Sequence, residues 1–120
     1  MGGNDAVCQL RYYTDSDAKA EYIAEYEKLY YQMLDEVFIA NPNAFVICCY
    51  GQLGSNAAVF DVIEGIVEEY RAYHPERRIE IFEFKHAIDY TVTNDGHPGP
   101  RSHKRDGEML AEKIKEYLGK

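Results

Sequence analysis

The chain has 120 residues and a mass of 13.8 kDa, enough for one domain and too little for two. Lys+Arg is 13 and Asp+Glu is 21, a net charge of −8; an acidic surface of that size repels phosphate backbones and argues against general nucleic-acid binding. Hydrophobic residues at 46% can build a core, but no apolar run approaches the ~20 residues needed to span a bilayer.

The opening MGGNDAVCQLRYY has no basic start followed by an apolar stretch, so no signal peptide is expected. Three cysteines, Cys8, Cys48 and Cys49, lack the spacing of a zinc site and read as buried thiols. A vicinal Cys48–Cys49 disulfide would be strained.

Residues 1–17 open irregularly, with Gly2-Gly3 and a turn-and-cap cluster at Thr14-Asp15-Ser16-Asp17. AVCQLRYY between them fits a short strand or an ordered loop. From Ala18 to Ala40 the apolar positions Ile23, Tyr26, Tyr30, Met33, Leu34, Val37 and Phe38 recur at helical spacing. Asp17 is the expected N-cap, and Asn41-Pro42-Asn43 stops the helix.

AFVICCY at 44–50 is a continuous apolar run, as in a parallel strand buried on both faces. The loop GQLGSNA follows. A second amphipathic helix runs from Ala58 to Tyr73, with Val59, Val62, Ile63, Ile66, Val67 and Tyr70 as its stripe. RIEIFEF at 78–84 alternates apolar and charged residues and reads as a strand nearer an edge. Residues 85–100 are rich in turn formers, and Ser102 is the expected cap of a last helix ending at Leu118. Met109, Leu110, Ile114, Tyr117 and Leu118 form its buried stripe, and Gly119 stops it.

The order loop–α–β–α–β–α implies a layered α/β fold with parallel strands. Two strands cannot bury so apolar a segment on both faces, and an open edge beside it would invite pairing. The sheet is therefore expected to be part of a larger one. Its missing strands would come from a second copy, a separate chain or an upstream segment.

Sites in open α/β sheets lie beyond the carboxyl ends of the strands. The loop TNDGHPGP places Asp95 and His97 two residues apart. A carboxylate there can fix the imidazole tautomer and stabilise the imidazolium of a general base. The plainer alternative is a turn in which Asp95 bonds its own backbone and His97-Pro98 leads into the helix. In the first loop, the Asn4 amide beside Gly3 is a suitable oxyanion donor. Asp95, His97 and His103 have no common metal spacing, so neither a metal nor a cofactor is expected.

Gly3-Asn4-Asp5 and Asp95-Gly96-His97-Pro98 together resemble the third and fifth signature blocks of the SGNH (GDSL) hydrolases. The continuation HPGPRSHKRDGEMLAEKI and the Asp two before the His resemble the acetyl-esterase branch acting on plant polysaccharides, carbohydrate esterase family two. The resemblance implies a three-layer α/β/α, flavodoxin-like fold of which this chain holds the C-terminal part of the parallel sheet. It implies a serine esterase cleaving small acyl (acetyl) esters on carbohydrate. His97 would be the base, Asp95 its orienting carboxylate and Asn4 an oxyanion donor, with Gly3, Gly54 and Ser55 lining the substrate pocket.

The chain departs from the family in lacking the Gly-Asp-Ser nucleophile block and the block with the oxyanion glycine. Of its own serines, Ser16 and Ser102 read as caps, and Ser55 lacks the strained strand-turn-helix context of a nucleophile. The implied partners are a small-molecule or carbohydrate ester and either a second copy or a missing N-terminal half. The rival expectation is a non-catalytic α/β module that self-associates through its incomplete sheet.

Overall fold

A computed structural model describes residues 16–51, 57–90 and 97–119. The elements are α1 (Ser16–Ala40), β1 (Phe45–Gly51), α2 (Ala57–Tyr73), β2 (Arg78–Phe84) and α3 (Pro100–Leu118). The class is mixed α/β. Among the described residues the two strands form one parallel sheet, in register from Phe45 beside Arg78 to Gly51 beside Phe84.

The helical rows in the sequence become one core. Tyr30, Leu34 and Phe38 of α1 meet Val59, Ile63, Ile66, Val67 and Tyr70 of α2, and both helices cover Cys48, Tyr50 and Ile79 of the sheet. The side chains of a strand alternate between faces, so this is the face carrying Val46, Cys48, Tyr50, Ile79 and Ile81. Double-sided burial of the first strand is not observed: Phe45, Ile47 and Cys49 on the other face are only half-buried. Tyr117 of α3 meets that face edge-on at Phe45, with ring centroids 5.2 Å apart. Phe82 and Met109 line an open groove beside it, rimmed by Glu108, Glu112 and Lys113. Of the stripe expected to be buried on α3, Met109, Leu110, Ile114 and Tyr117 are only half-buried, and Leu118, next to the Tyr117 that meets Phe45, is 63% exposed.

Two details position the ends of the strands. At the amino end, Arg77 donates to Asp35 Oδ1 at 2.8 Å, as does the Tyr70 hydroxyl at 2.8 Å. The Arg77 guanidinium lies over the rings of Phe38 and Tyr70, so one cation ties α1, α2 and the entry to β2 together. At the carboxyl end, Gly51 has φ 110, and a Cβ there would sit 2.5 Å from the Phe84 carbonyl oxygen. Only glycine permits both that backbone and that approach.

The helix ends differ from expectation. α1 starts at Ser16, which puts Asp17 inside its first turn rather than at the cap. Gly119 ends α3 in a right-handed conformation, donating its N–H to the Lys115 carbonyl at 2.9 Å. Cys48 is buried and Cys49 half-buried, and both are free thiols. Burial pushes both thiols above their ordinary pKa, the state of inert structural cysteines. Cys8 lies outside the described residues.

Candidate functional site

The parallel register brings the exits of β1 and β2 side by side at Gly51 and Phe84. The chain leaves β2 there, passes Lys85 to Tyr90, and returns through His97 into α3. His97 is exposed at the root of that helix. It is the one residue of the expected set within the described residues. Asp95, Asn4, Gly3, Gly54 and Ser55 all lie outside them.

What the structure does define is the frame that carries His97. Tyr90 and Pro98 form an isolated antiparallel bridge. The Gly99 N–H donates to the Asp89 carbonyl at 2.9 Å. The Asp89 carboxylate accepts the Arg101 N–H at 3.0 Å and the Ser102 N–H at 2.7 Å. These are first-turn donors of α3 that have no partner within the helix. Pro100 occupies the first turn as well, where its missing N–H is no loss. Arg105, one turn further on, donates to the Lys85 carbonyl at 3.0 Å.

Ser102 is not the cap that its position suggests. It lies inside α3, fully buried, and the cap residue is Gly99. The Ser102 hydroxyl bonds the Asp89 carboxylate and accepts the N–H groups of Ile88 at 3.0 Å and Asp89 at 3.2 Å. A serine enclosed in this way cannot meet a substrate. The Ser102 hydroxyl and the two backbone N–H donors hold the Asp89 carboxyl below the usual carboxylate range. A Cβ at Gly99 would lie 2.5 Å from Asp89 Oδ2, so a larger residue there has to displace that carboxylate.

Asp89 was not visible as a functional residue in the sequence. It stands thirteen positions before Ser102, outside the short spacing of any capping box. The other histidines lie apart from this frame or on its surface. His74 packs on the Tyr70 ring with centroids 4.7 Å apart, while His86 and His103 are exposed. Among the described residues no group of His, Cys, Asp and Glu has the arrangement of a metal site. No helix among them is long and apolar enough to cross a membrane.

The chain matches no protein-family model, no curated protein and no solved structure.

Proposed function

We propose that this chain is the C-terminal half of an SGNH-type serine esterase acting on small acyl esters, acetyl groups on carbohydrate foremost. The observation that carries the reading is the place of His97. It is exposed on the segment joining the carboxyl end of β2 to α3, the edge at which parallel α/β sheets form their sites. The Gly-x-Asn-Asp and Asp-x-His-Pro segments add the chemistry expected there.

In this reading a serine attacks the ester carbonyl while His97 takes its proton. Asp95 holds the imidazole in the receptive tautomer and stabilises the cation formed. The Asn4 amide donates to the oxyanion of the tetrahedral intermediate. His97 then returns the proton to the leaving alcohol, and water, activated the same way, cleaves the acyl-enzyme. The serine belongs to a Gly-Asp-Ser block outside this chain's residues. The three-layer sheet of the family would be completed by strands from the same source.

A second reading rests on the sheet itself. Two strands with a half-exposed face at Phe45, Ile47, Phe82 and Phe84 also suit a module that pairs with another copy and does no chemistry.

A fluorophosphonate probe, which bonds to activated serines, separates the two. It is applied to the full-length gene product that contains this chain, and the labelled peptide is located by mass spectrometry. The esterase reading expects one labelled serine in a Gly-Asp-Ser block, with labelling slowed by His97→Ala. No labelled serine, together with a monodisperse dimer of the chain, would favour the module.

A further inference from the structure

We propose that Asp89 is the positioning residue for His97, a role that rests on the esterase reading for its catalytic meaning. His97 stands in the sequence gap between Asp89 and Ser102. Asp89 holds both sides of that gap. Its carbonyl takes the Gly99 N–H at 2.9 Å, and its carboxylate takes the N–H groups of Arg101 at 3.0 Å and Ser102 at 2.7 Å. The Ser102 hydroxyl closes the circle on the N–H groups of Ile88 and Asp89. His97 precedes Pro98, which is buried and bridged to Tyr90. Only that peptide unit separates the imidazole-bearing residue from the clamped segment.

The clamp is more than a helix cap. A helix can be capped by a residue of its own first turn, and such a cap would leave the start of α3 free to shift relative to β2. Here the carboxylate is delivered from the β2 side, so the start of α3 and the strand exit share one anchor. Gly99 is fitted to it: a Cβ would lie 2.7 Å from the Asp89 carboxyl carbon. A catalytic base must be held to within a fraction of an ångström, because a misplacement of about 1 Å can cost on the order of 100-fold in rate. Asp89 supplies that constraint without touching the imidazole or the substrate.

The test reads His97 directly. Histidine Cε1–H resonances of the chain are recorded for the wild type, Asp89→Asn and Gly99→Ala. The Tyr70-packed His74 serves as an internal control for the rest of the fold. The expected result is a changed chemical shift of the His97 ring proton in both variants, with the His74 resonance unmoved. A His97 resonance identical to wild type in a folded Asp89→Asn or Gly99→Ala variant would overturn the positioning role, whatever the chemistry of the protein. The second arm uses the full-length gene product that contains this chain and p-nitrophenyl acetate. Asp89→Asn is expected to lower kcat about 10-fold with KM little changed, and Asp89→Glu to recover part of the loss. Unchanged kcat in Asp89→Asn, where His97→Ala abolishes activity, would also overturn it. Full activity in His97→Ala would instead remove the esterase reading and leave the resonance result standing.

Discussion

Asp89 Oδ1 accepts the backbone N–H of Ser102 at 2.7 Å, and His97 stands between these two residues in the sequence. The same oxygen is bonded by the Ser102 hydroxyl, so one buried side chain and one backbone N–H converge on one carboxylate oxygen. Ser102→Ala removes the hydroxyl but leaves the N–H. The variant is expected to fold, with a lower urea midpoint and faster hydrogen exchange at Arg101 and Ser102. Exchange there equal to wild type would show that the hydroxyl adds nothing to the clamp.

Leu34 of α1 and Val67 of α2 are both fully buried in the core that the helices share with the sheet. Leu34→Ala should cost about 2–5 kcal/mol, as other large-to-small changes in packed cores do. Against a marginal total stability, that change alone should bring much of the chain to the unfolded state near physiological temperature. Urea denaturation followed by far-ultraviolet dichroism measures it. Leu29→Ala, on the exposed side of the same helix at 50% exposure, is the control and should move the midpoint far less.

Acid should loosen the α1–α2 contact before the core itself fails. The hydrogen bonds from Tyr70 and Arg77 hold the Asp35 carboxyl below its ordinary value of 3.8. A folded pKa below the unfolded one means that folding favours the carboxylate. Its stabilisation is therefore complete above the unfolded pKa and lost as pH falls through the folded one. Burial first, and then the bond to Asp35, pushes the Tyr70 hydroxyl up to about 12. In Asp35→Asn the thermal midpoint should fall by about 2–4 °C at neutral pH, in keeping with a half-exposed ion pair. Its dependence on pH below 4 should be shallower than that of the wild type. Thermal scans across that range decide it. Parallel curves for the two proteins would remove Asp35 from the acid transition.

Gly51 ends β1 with φ 110, against the carbonyl of Phe84. Gly51→Ala must both strain the backbone and open the strand pair at the edge where the loops emerge. A loss of more than about 1 kcal/mol is expected, above the ordinary gain from restricting an unfolded glycine. Denaturant titration of the two proteins measures the difference. A neutral effect would mean that the strand ends part without cost.

Much of the helical frame could be read from residue periodicity. The rows Tyr30–Leu34–Phe38 and Val59–Ile63–Ile66–Val67–Tyr70 are buried as their spacing requires, because each row faces a single surface and local geometry dictates which. What was not legible depends on residues far apart in the chain. AFVICCY is uniformly apolar, so nothing in its pattern says that α3 covers one side only partly. Ser102 stands at a position typical of a cap, yet the capping carboxylate comes from Asp89 in the preceding loop. Glu69 sits among acidic residues of a solvated face, but receives a hydrogen bond from Tyr31 on α1. Arg77 reads as half of a short basic pair and is instead the cation that joins three elements. Near the candidate site, the place of His97 between β2 and α3 follows from the element order, while the Asp89 anchor of that segment does not.

The most direct measurement is p-nitrophenyl acetate hydrolysis by the full-length gene product that contains this chain, beside the same protein carrying His97→Ala. Hydrolysis above buffer that falls by about 1,000-fold or more in the variant is the expected result for the loss of a triad base. Equal rates in the two proteins would contradict the assignment of His97 as that base.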